Sequence, residues 1–318
     1  MMISRSVLGF LMPVMVILHS GLACGHDGPP VSPQACDVAL PEAAAEFGLT
    51  RPTICETFAT LDHVDLGNSK APGYALYVEH VGSIGTVVFP RGGIGHDGTG
   101  VVLDADGWLQ GAVRTAVGKH NRYVGTTVCK KGCFAQIDMK FDPRLSPRQA
   151  KWFWPAFWLQ DIRTITDYHG NPSGSFSGME LDVIEAMPFG MPGQPDLQAS
   201  IHDQTGYQQD YHRDNSCKTS YAESTVRDAG YHTYSLLYLP PSQNGGIGVF
   251  RAWVDGRQML SHTFSADTAP IPRCPGGLGQ PNVKGAFVDL DGAEAFVYLK
   301  SAAGWPVGYR NMVVWEKP

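Results

Sequence analysis

The sequence predicts an all-β protein in which antiparallel strands form a sandwich. From Thr57 onward, short segments of strand-forming residues alternate with turn signals. The chain contains 37 glycines and 23 prolines, the residues that many tight turns require. We find no long segment with helical periodicity and no internal repeat. Many short strands joined by short turns are typical of a sandwich.

The N-terminal residues have the pattern of a secretory signal. Arg5 precedes the apolar run 7–18, which is too short to span a bilayer, and small residues follow it. We therefore predict that residues 1–23 are a cleaved signal peptide. Cys24 would then begin the mature chain, as in bacterial lipoproteins, although Gly21 stands where such signals usually have leucine. Ordinary secretion and a lipid anchor at Cys24 both remain open, so the protein is expected to be extracellular, periplasmic or anchored to the outer membrane.

The rest of the chain divides into two parts. Residues 24–50 are rich in proline and alanine and are predicted to be a tether or an irregular strap over the core. Residues 51–318 are predicted to form one domain. Strands are predicted in this domain at Tyr74–His80, Gly85–Phe89, Phe134–Phe141 and Phe250–Val254, and hairpin turns at Asp106-Gly107 and Asp255-Gly256.

Charge and cysteine content exclude several classes of function. The net charge is −6 and no basic cluster is interleaved with aromatic residues, so a nucleic acid is not expected as a partner. Seven cysteines are an odd number for a secreted protein; without Cys24, six remain, enough for three disulfides. Cys129 and Cys133 flank a turn-like Lys-Lys-Gly and could bond to each other or elsewhere. The cysteine spacings lack the two close Cys/His pairs of a zinc finger.

An aromatic segment, Lys151–Leu159, predicts a strand with two unlike apolar faces. At a period of two residues, one face contains Phe153, Phe157 and Leu159, and the other contains Trp152, Trp154, Ala156 and Trp158. A row of tryptophans is a large apolar surface to leave in water without a function. Stacking of the indole rings on sugar rings is one use, and burial of both faces between two layers is the alternative.

Downstream, Gly178–Ala186 contains three carboxylates among strand-forming residues: Glu180, Asp182 and Glu185. Glu180 and Asp182 share a face of a strand, whereas Glu185 would point to the other face of a regular strand. One extra residue, in a β-bulge around Val183 and Ile184, would return Glu185 to the first face, and bulges are enriched beside active sites. Two carboxyl groups with different roles are what glycosidic bond hydrolysis requires. An exposed acidic strand edge is the alternative.

These two segments together resemble glycoside hydrolase family 16. The resemblance is carried by Trp154–Leu159 and Glu180–Glu185, and it extends over about residues 55–318. The E-x-D-x-x-E spacing is similar to that of the bulged, laminarinase-like branch of the family. Further agreement is found at Asp104–Leu109, Tyr231–Tyr234, Trp253–Gly256 and Gly308–Trp315.

The resemblance implies a fold and a mechanism. The fold would be a jelly roll of two curved antiparallel sheets, of the concanavalin A-like lectin and glucanase type, with a substrate cleft on the concave face. Residues 51–318 would be the catalytic domain of a secreted, retaining endo-β-glycanase. Glu180 would be the nucleophile, Glu185 the general acid/base, and Asp182 the residue that assists between them.

The resemblance also suggests binding residues. Trp154 and Trp158 would form the floor of the subsites before the scissile bond, and His202 would touch the substrate or the carboxylates, or else be a partly buried polar residue. No cofactor is expected. Many relatives carry a structural calcium, which is in doubt here because Arg310 and Asn311 stand where an aspartate is usual.

The expected partner is a polysaccharide, either a β-1,3-glucan or a bacterial exopolysaccharide, and the protein is expected to be a monomer. Two alternatives to a hydrolase remain. A transglycosylase would use the same residues, with a sugar hydroxyl in place of water. A lectin-like module on the same sandwich is disfavoured, because binding alone does not need three carboxylates.

Overall fold

A computed structural model describes residues 37–78, 93–104, 111–120, 122–142, 155–164, 179–186, 197–203, 215–220, 228–265, 267, 294–301 and 306–318. Within these ranges the regular secondary structure is almost entirely β. The helical elements described are one helix, α1 (Glu42–Ala45), and two 3-10 turns, Ile162–Thr164 and Pro241–Gln243. No helix among these residues is long and apolar enough to cross a membrane.

Eighteen strands are described. In chain order they are β1 (Arg51–Glu56), β2 (Val64–Asp65), β3 (Leu76–Val78), β4 (Ile94–His96), β5 (Val101–Leu103), β6 (Gly111–Arg114), β7 (Ala116–Lys119), β8 (Arg122–Gly125), β9 (Cys133–Lys140), β10 (Ala156–Asp161), β11 (Met179–Ala186), β12 (Leu197–Asp203), β13 (Asn215–Ser220), β14 (Tyr231–Leu239), β15 (Gly248–Val254), β16 (Arg257–Phe264), β17 (Ala295–Ser301) and β18 (Val307–Glu316).

The strands form two large sheets and one hairpin. Sheet A has the order β16-β15-β14-β9-β18-β5-β4, and β1 also pairs with β18. Sheet B has the order β13-β12-β11-β10-β17-β6-β3-β2. The pairs are antiparallel except β2 with β3, and β7 pairs with β8 apart from both sheets. Strands that follow each other in sequence, such as β9 and β10, lie in different sheets, and this jelly-roll sandwich confirms the predicted fold class.

The main core lies between the inner faces of the two sheets. Sheet A contributes, among others, Ile137, Tyr234 and Phe250, and sheet B contributes Phe157 and Leu181. These side chains alternate along their strands with residues on the outer faces, as the period of a strand requires. Of the two faces predicted for the aromatic segment, the one with Phe157 and Leu159 is therefore the core face of β10.

A second apolar cluster lies on the outer face of sheet A. Phe134, Trp253 and Trp315 pack there beneath Ala44 and Leu49, which belong to α1 and the residues after it. The ring centroids of Phe134 and Trp253 are 5.5 Å apart. Trp253 is thus a packing residue of this outer face.

Several local predictions can be compared with the strands. β9 and β15 confirm two predicted strands, and the Asp255-Gly256 turn joins β15 to β16 with positive φ at both residues. Cys129 and Cys133 form a disulfide with each other, and Cys55 is also disulfide-bonded.

Other local predictions are only partly tested. The first predicted strand begins at Leu76 instead of Tyr74, and residues 79–80, its predicted end, lie outside the described residues. Gly85–Phe89 and Asp106-Gly107 lie outside the described residues. β1 was not predicted, because Pro52 interrupts it; the register of β1 with β18 shifts next to this proline, where a missing N–H is tolerated.

Candidate active site

The carboxylate segment forms β11, which lies inside sheet B between β10 and β12. Its pairing with β10 skips Val183, because Asp182 and Ile184 pair with consecutive residues of β10. Its pairing with β12 also shifts, between Asp182 and Glu185. β11 therefore contains the bulge that the spacing of the acids predicts.

The bulge places the carboxylates on one face of the sheet. They pair with alternate residues of β10, which share a face: Glu180 with Gln160, Asp182 with Trp158, and Glu185 with Ala156. The apolar residues between the acids lie in the core: Leu181, Val183 and Ile184. If the same residues ran as a regular strand without the bulge, Glu185 would point between the sheets.

The three acids differ in exposure. Asp182 is 1% exposed and Glu185 is 8% exposed, whereas Glu180 is partly exposed. Carboxylate oxygens of Glu180 and Asp182 and a ring nitrogen of His202 lie within 4.8 Å of one another.

Asp182 is held from β12. The Ser200 hydroxyl donates to Asp182 Oδ2 at 2.5 Å. His202 Nε2 lies 3.2 Å from the same oxygen and 3.1 Å from Ser200 Oγ. Ser200 pairs directly with Asp182 in the sheet, and His202 with Glu180, so the register of β11 and β12 brings these groups together.

An aromatic surface continues from the carboxylates across sheet B. The Trp158 indole is stacked on the Tyr298 ring, with centroids 4.1 Å apart and an interplanar angle of 7°. Trp158 Nε1 donates to Gln160 Oε1 at 3.3 Å. The Arg114 guanidinium lies 5.5 Å from the centroid of Phe296 and 5.9 Å from that of Tyr298. Rings and polar groups thus alternate beside the acids, an arrangement suited to sugar rings with hydroxyl edges.

The β7–β8 hairpin borders this aromatic surface. Tyr123 of β8 packs with Tyr298 against a buried cluster that includes Phe296. Lys119 Nζ donates to Lys70 O at 2.7 Å, and Lys70 Nζ donates to Gly118 O at 3.0 Å. These bonds tie the hairpin, and with it Tyr123, to the loop after β2.

Most of the predicted site residues come together on this face of sheet B. They are Glu180, Asp182, Glu185, Trp158 and His202. His202 is buried and contacts Asp182, and its contact with a substrate stays a prediction. Trp154 lies outside the described residues.

Sequence reasoning missed Ser200, Tyr298, Arg114 and Gln160. For Ser200 a signal existed, because it lies two residues before His202 and shares its face. Tyr298 has a similar signal in Phe296-Val297-Tyr298, where aromatic residues alternate with an apolar one. Arg114 has none, since its strand is distant in sequence from the carboxylates.

Two places in the described residues could be considered for a metal ion. Glu180, Asp182 and His202 are close enough to share one, but Asp182 and His202 are already linked through Ser200. On the outer face of sheet A, Asp138 Oδ2 accepts from Arg310 Nε at 3.2 Å and Asn311 Nδ2 at 2.8 Å. These N–H donors fit a carboxylate and do not fit calcium, which takes oxygen ligands.

No protein-family model and no curated protein matches the chain. Among solved structures, it is similar to an endo-1,3-β-glucanase from Streptomyces sioyaensis, with 13% identity, 84% of this chain and 96% of that chain covered, and a TM-score of 0.49. It is also similar to the Bacillus licheniformis β-glucanase (14% identity, 85% and 100% covered, TM-score 0.43). A third similar structure is the VIP36 exoplasmic/lumenal domain with Ca2+ and Man3GlcNAc bound (10% identity, 70% and 81% covered, TM-score 0.38). At these values the similarities carry no information about the site residues.

Proposed function

We propose that the protein is a retaining endo-β-glycanase of the glycoside hydrolase family 16 type, which hydrolyses O-glycosidic bonds in a polysaccharide. The bulge at Val183 carries the proposal, because it brings Glu185 to the surface that Glu180 and Asp182 share, while the residues between the acids stay in the core. A strand that served only packing would gain nothing from an extra residue that brings like charges together.

The proposed mechanism uses each acid differently. Glu185 donates its proton to the leaving glycosidic oxygen while the Glu180 carboxylate attacks the anomeric carbon, forming a glycosyl-enzyme. Glu185 then deprotonates a water, which attacks the same carbon and releases Glu180. The low exposure of Glu185 suits the group that must begin protonated, and the greater exposure of Glu180 suits the group that must meet the sugar. Asp182, held from β12, would keep Glu180 ionised and oriented.

The substrate class proposed is a β-1,3-glucan or a bacterial exopolysaccharide. The Trp158–Tyr298 pair beside the acids supports a polymer that presents flat sugar faces to the sheet. Such a polymer is too large to enter a cell intact, so we also propose that residues 1–23 direct the enzyme out of the cytoplasm, with or without a lipid at Cys24.

The test is release of reducing ends from laminarin, lichenan, agarose, carrageenan, xyloglucan and a succinoglycan-type polymer. We expect wild type to cleave one of them, and Glu180→Gln to lower the rate by about a thousandfold or more. Glu46→Gln is the matched control: this exposed residue of the outer layer lies near Arg251, and its loss should leave the rate unchanged. Proton NMR of the first product should show the anomeric configuration of the substrate.

Other outcomes would redirect the proposal. Inversion at the anomeric carbon would contradict the roles given to Glu180 and Glu185. Longer oligosaccharides as the main products would indicate a transglycosylase. Binding of a polymer by wild type and Glu180→Gln alike, without cleavage, would indicate a lectin-like protein.

A further inference from the structure

We propose that Ser200 is a positioning residue that fixes the orientation of the Asp182 carboxylate and the protonated nitrogen of His202. This inference rests on the proposed function, since its kinetic consequence requires that Asp182 assist Glu180. Ser200 Oγ lies 2.5 Å from Asp182 Oδ2 and 3.1 Å from His202 Nε2. His202 Nε2 lies 3.2 Å from the same oxygen of Asp182.

The hydrogen atoms in this triangle can be assigned by counting donors. Ser200 has one hydroxyl hydrogen, and its short contact with Asp182 Oδ2 shows where that hydrogen goes. His202 Nε2 then faces a hydroxyl oxygen whose hydrogen is already used and a carboxylate oxygen. An unprotonated Nε2 would place its lone pair against both of them, so Nε2 carries a hydrogen. Ser200 therefore accepts from His202 and donates to Asp182.

The position of Ser200 makes this arrangement rigid. It is fully buried, and it lies directly opposite Asp182 in the β11–β12 ladder, so its backbone is fixed by the sheet. The Ser200 hydroxyl donates to one oxygen of Asp182, and the single Nε2–H of His202 is shared between that oxygen and Ser200 Oγ. The carboxylate cannot rotate about its Cβ–Cγ bond without breaking both contacts. A carboxylate fixed in this way presents a constant field to Glu180, which shares its face of β11.

Removal of the hydroxyl should affect the chemical step more than substrate binding. His202 alone would then hold Asp182, and the carboxylate would gain a second orientation. We expect Ser200→Ala to lower kcat on the order of 10- to 100-fold, as for loss of a hydrogen bond to a charged group, with KM nearly unchanged. If Ser200 had only a packing role, its substitution would lower the stability of the protein and leave the kcat of the folded fraction unchanged.

The decisive comparison is Ser200→Thr against Ser200→Val. The two side chains have nearly the same shape, and only threonine keeps the hydroxyl, so any common packing defect cancels between them. We expect threonine to restore most of the wild-type kcat and valine to resemble alanine. Ser235→Ala, at a buried serine of sheet A, is the control for loss of a buried hydroxyl away from the site. Equal kcat for the threonine and valine variants would overturn the proposal.

A second measurement does not depend on turnover. The 1H–15N NMR signal of the His202 imidazole should show a hydrogen on Nε2 that exchanges slowly with water in wild type and Ser200→Thr. In Ser200→Val the signal should shift and exchange faster. If wild type cleaves no polymer, the proposed function fails, and this signal decides the Ser200 contact alone. An unchanged His202 signal in Ser200→Val would overturn the proposed role of Ser200.

Discussion

At the scale of single residues, Trp158 connects the carboxylates to the aromatic surface. It pairs with Asp182 in the sheet, stacks on Tyr298 and donates to Gln160. Its neighbours Phe157 and Leu159 lie in the core, so the residue cannot turn away from the surface without disrupting β10. Trp158 is thus the aromatic side chain best fixed next to the acids among the described residues.

We predict that Trp158→Ala weakens binding of the substrate polymer. Loss of one aromatic platform should raise KM about 5- to 10-fold, since such contacts contribute roughly 1 kcal/mol, while kcat changes less. Initial rates over a range of polymer concentrations measure both constants. Trp253→Phe is the control, because Trp253 packs on the outer face of sheet A and its replacement should leave KM unchanged. An unchanged KM in Trp158→Ala would contradict a binding role for this ring.

His262 provides a prediction about pH. It is buried on β16 beside Phe264, and burial lowers the pKa of its imidazole. In the unfolded chain the ring titrates near ~6.5, so below that pH the unfolded state binds more protons than the folded state. The free energy of unfolding should therefore be undiminished above about pH 7 and fall as the pH drops through ~6.5.

Urea unfolding at pH 8.0 and 5.5 tests this sign. His262→Leu should lose less free energy of unfolding between the two pH values than wild type, by at most ~1.4 kcal/mol for each pH unit below the unfolded pKa. His120→Asn is the control: His120 is exposed in the β7–β8 turn with φ of 50°, a conformation that asparagine tolerates. A larger loss in His262→Leu than in wild type would contradict the prediction.

At the scale of elements, β11 shows how far sequence spacing can lead. One residue separates Glu180 from Asp182, and two residues separate Asp182 from Glu185. This spacing predicts a bulge, because a regular strand would point Glu185 into the core. The structure contains that bulge. The spacing could not predict that Ser200 would lie opposite Asp182, since pairing with β12 depends on the register of a separate strand.

We predict that deletion of Val183 straightens β11 and keeps Glu185 on the same face. The acids would then be separated by one residue each, which a regular strand places on one side. Because Val183 is buried, its loss should cost about 2–4 kcal/mol of stability, while measurable activity remains in the folded protein. Circular dichroism melting and the reducing-end assay measure the two effects.

Deletion of Leu181 instead is the matched control. It removes a buried apolar residue from the same strand, but it makes Glu180 and Asp182 adjacent, so that they point to opposite faces. This variant should lose activity even if it melts cooperatively. Equal activities in the two folded deletion variants would show that the shared face of the acids is not what matters.

At the scale of the whole molecule, the fold class followed from strand and turn signals, but the layering of the sandwich did not. β1 pairs with the end of β18, more than 250 residues away in sequence, through contacts such as Thr53 with Glu316 at 2.5 Å. The outer cluster of Phe134, Trp253 and Trp315 is likewise formed by segments that lie far apart in sequence. Such pairings depend on three-dimensional complementarity, which a one-dimensional pattern does not contain.

The segment before β1 illustrates the same limit and leads to the last prediction. Residues 24–50 were predicted to be a tether or a strap, and the described part of this segment buries Ala44 and Leu49 against the aromatic cluster on sheet A. If the segment acts as a structural layer, Leu49→Ala should lower the free energy of unfolding by about 2–4 kcal/mol. The substitution removes most of a fully buried side chain and leaves a cavity in its place. Leu40→Ala makes the same chemical change in the same segment at a residue that is 41% exposed, and it should cost less than about 0.5 kcal/mol. Urea unfolding of both variants separates the two cases: a large difference means that the domain begins before Arg51, whereas equal small effects mean that the segment is a tether that the sandwich does not need.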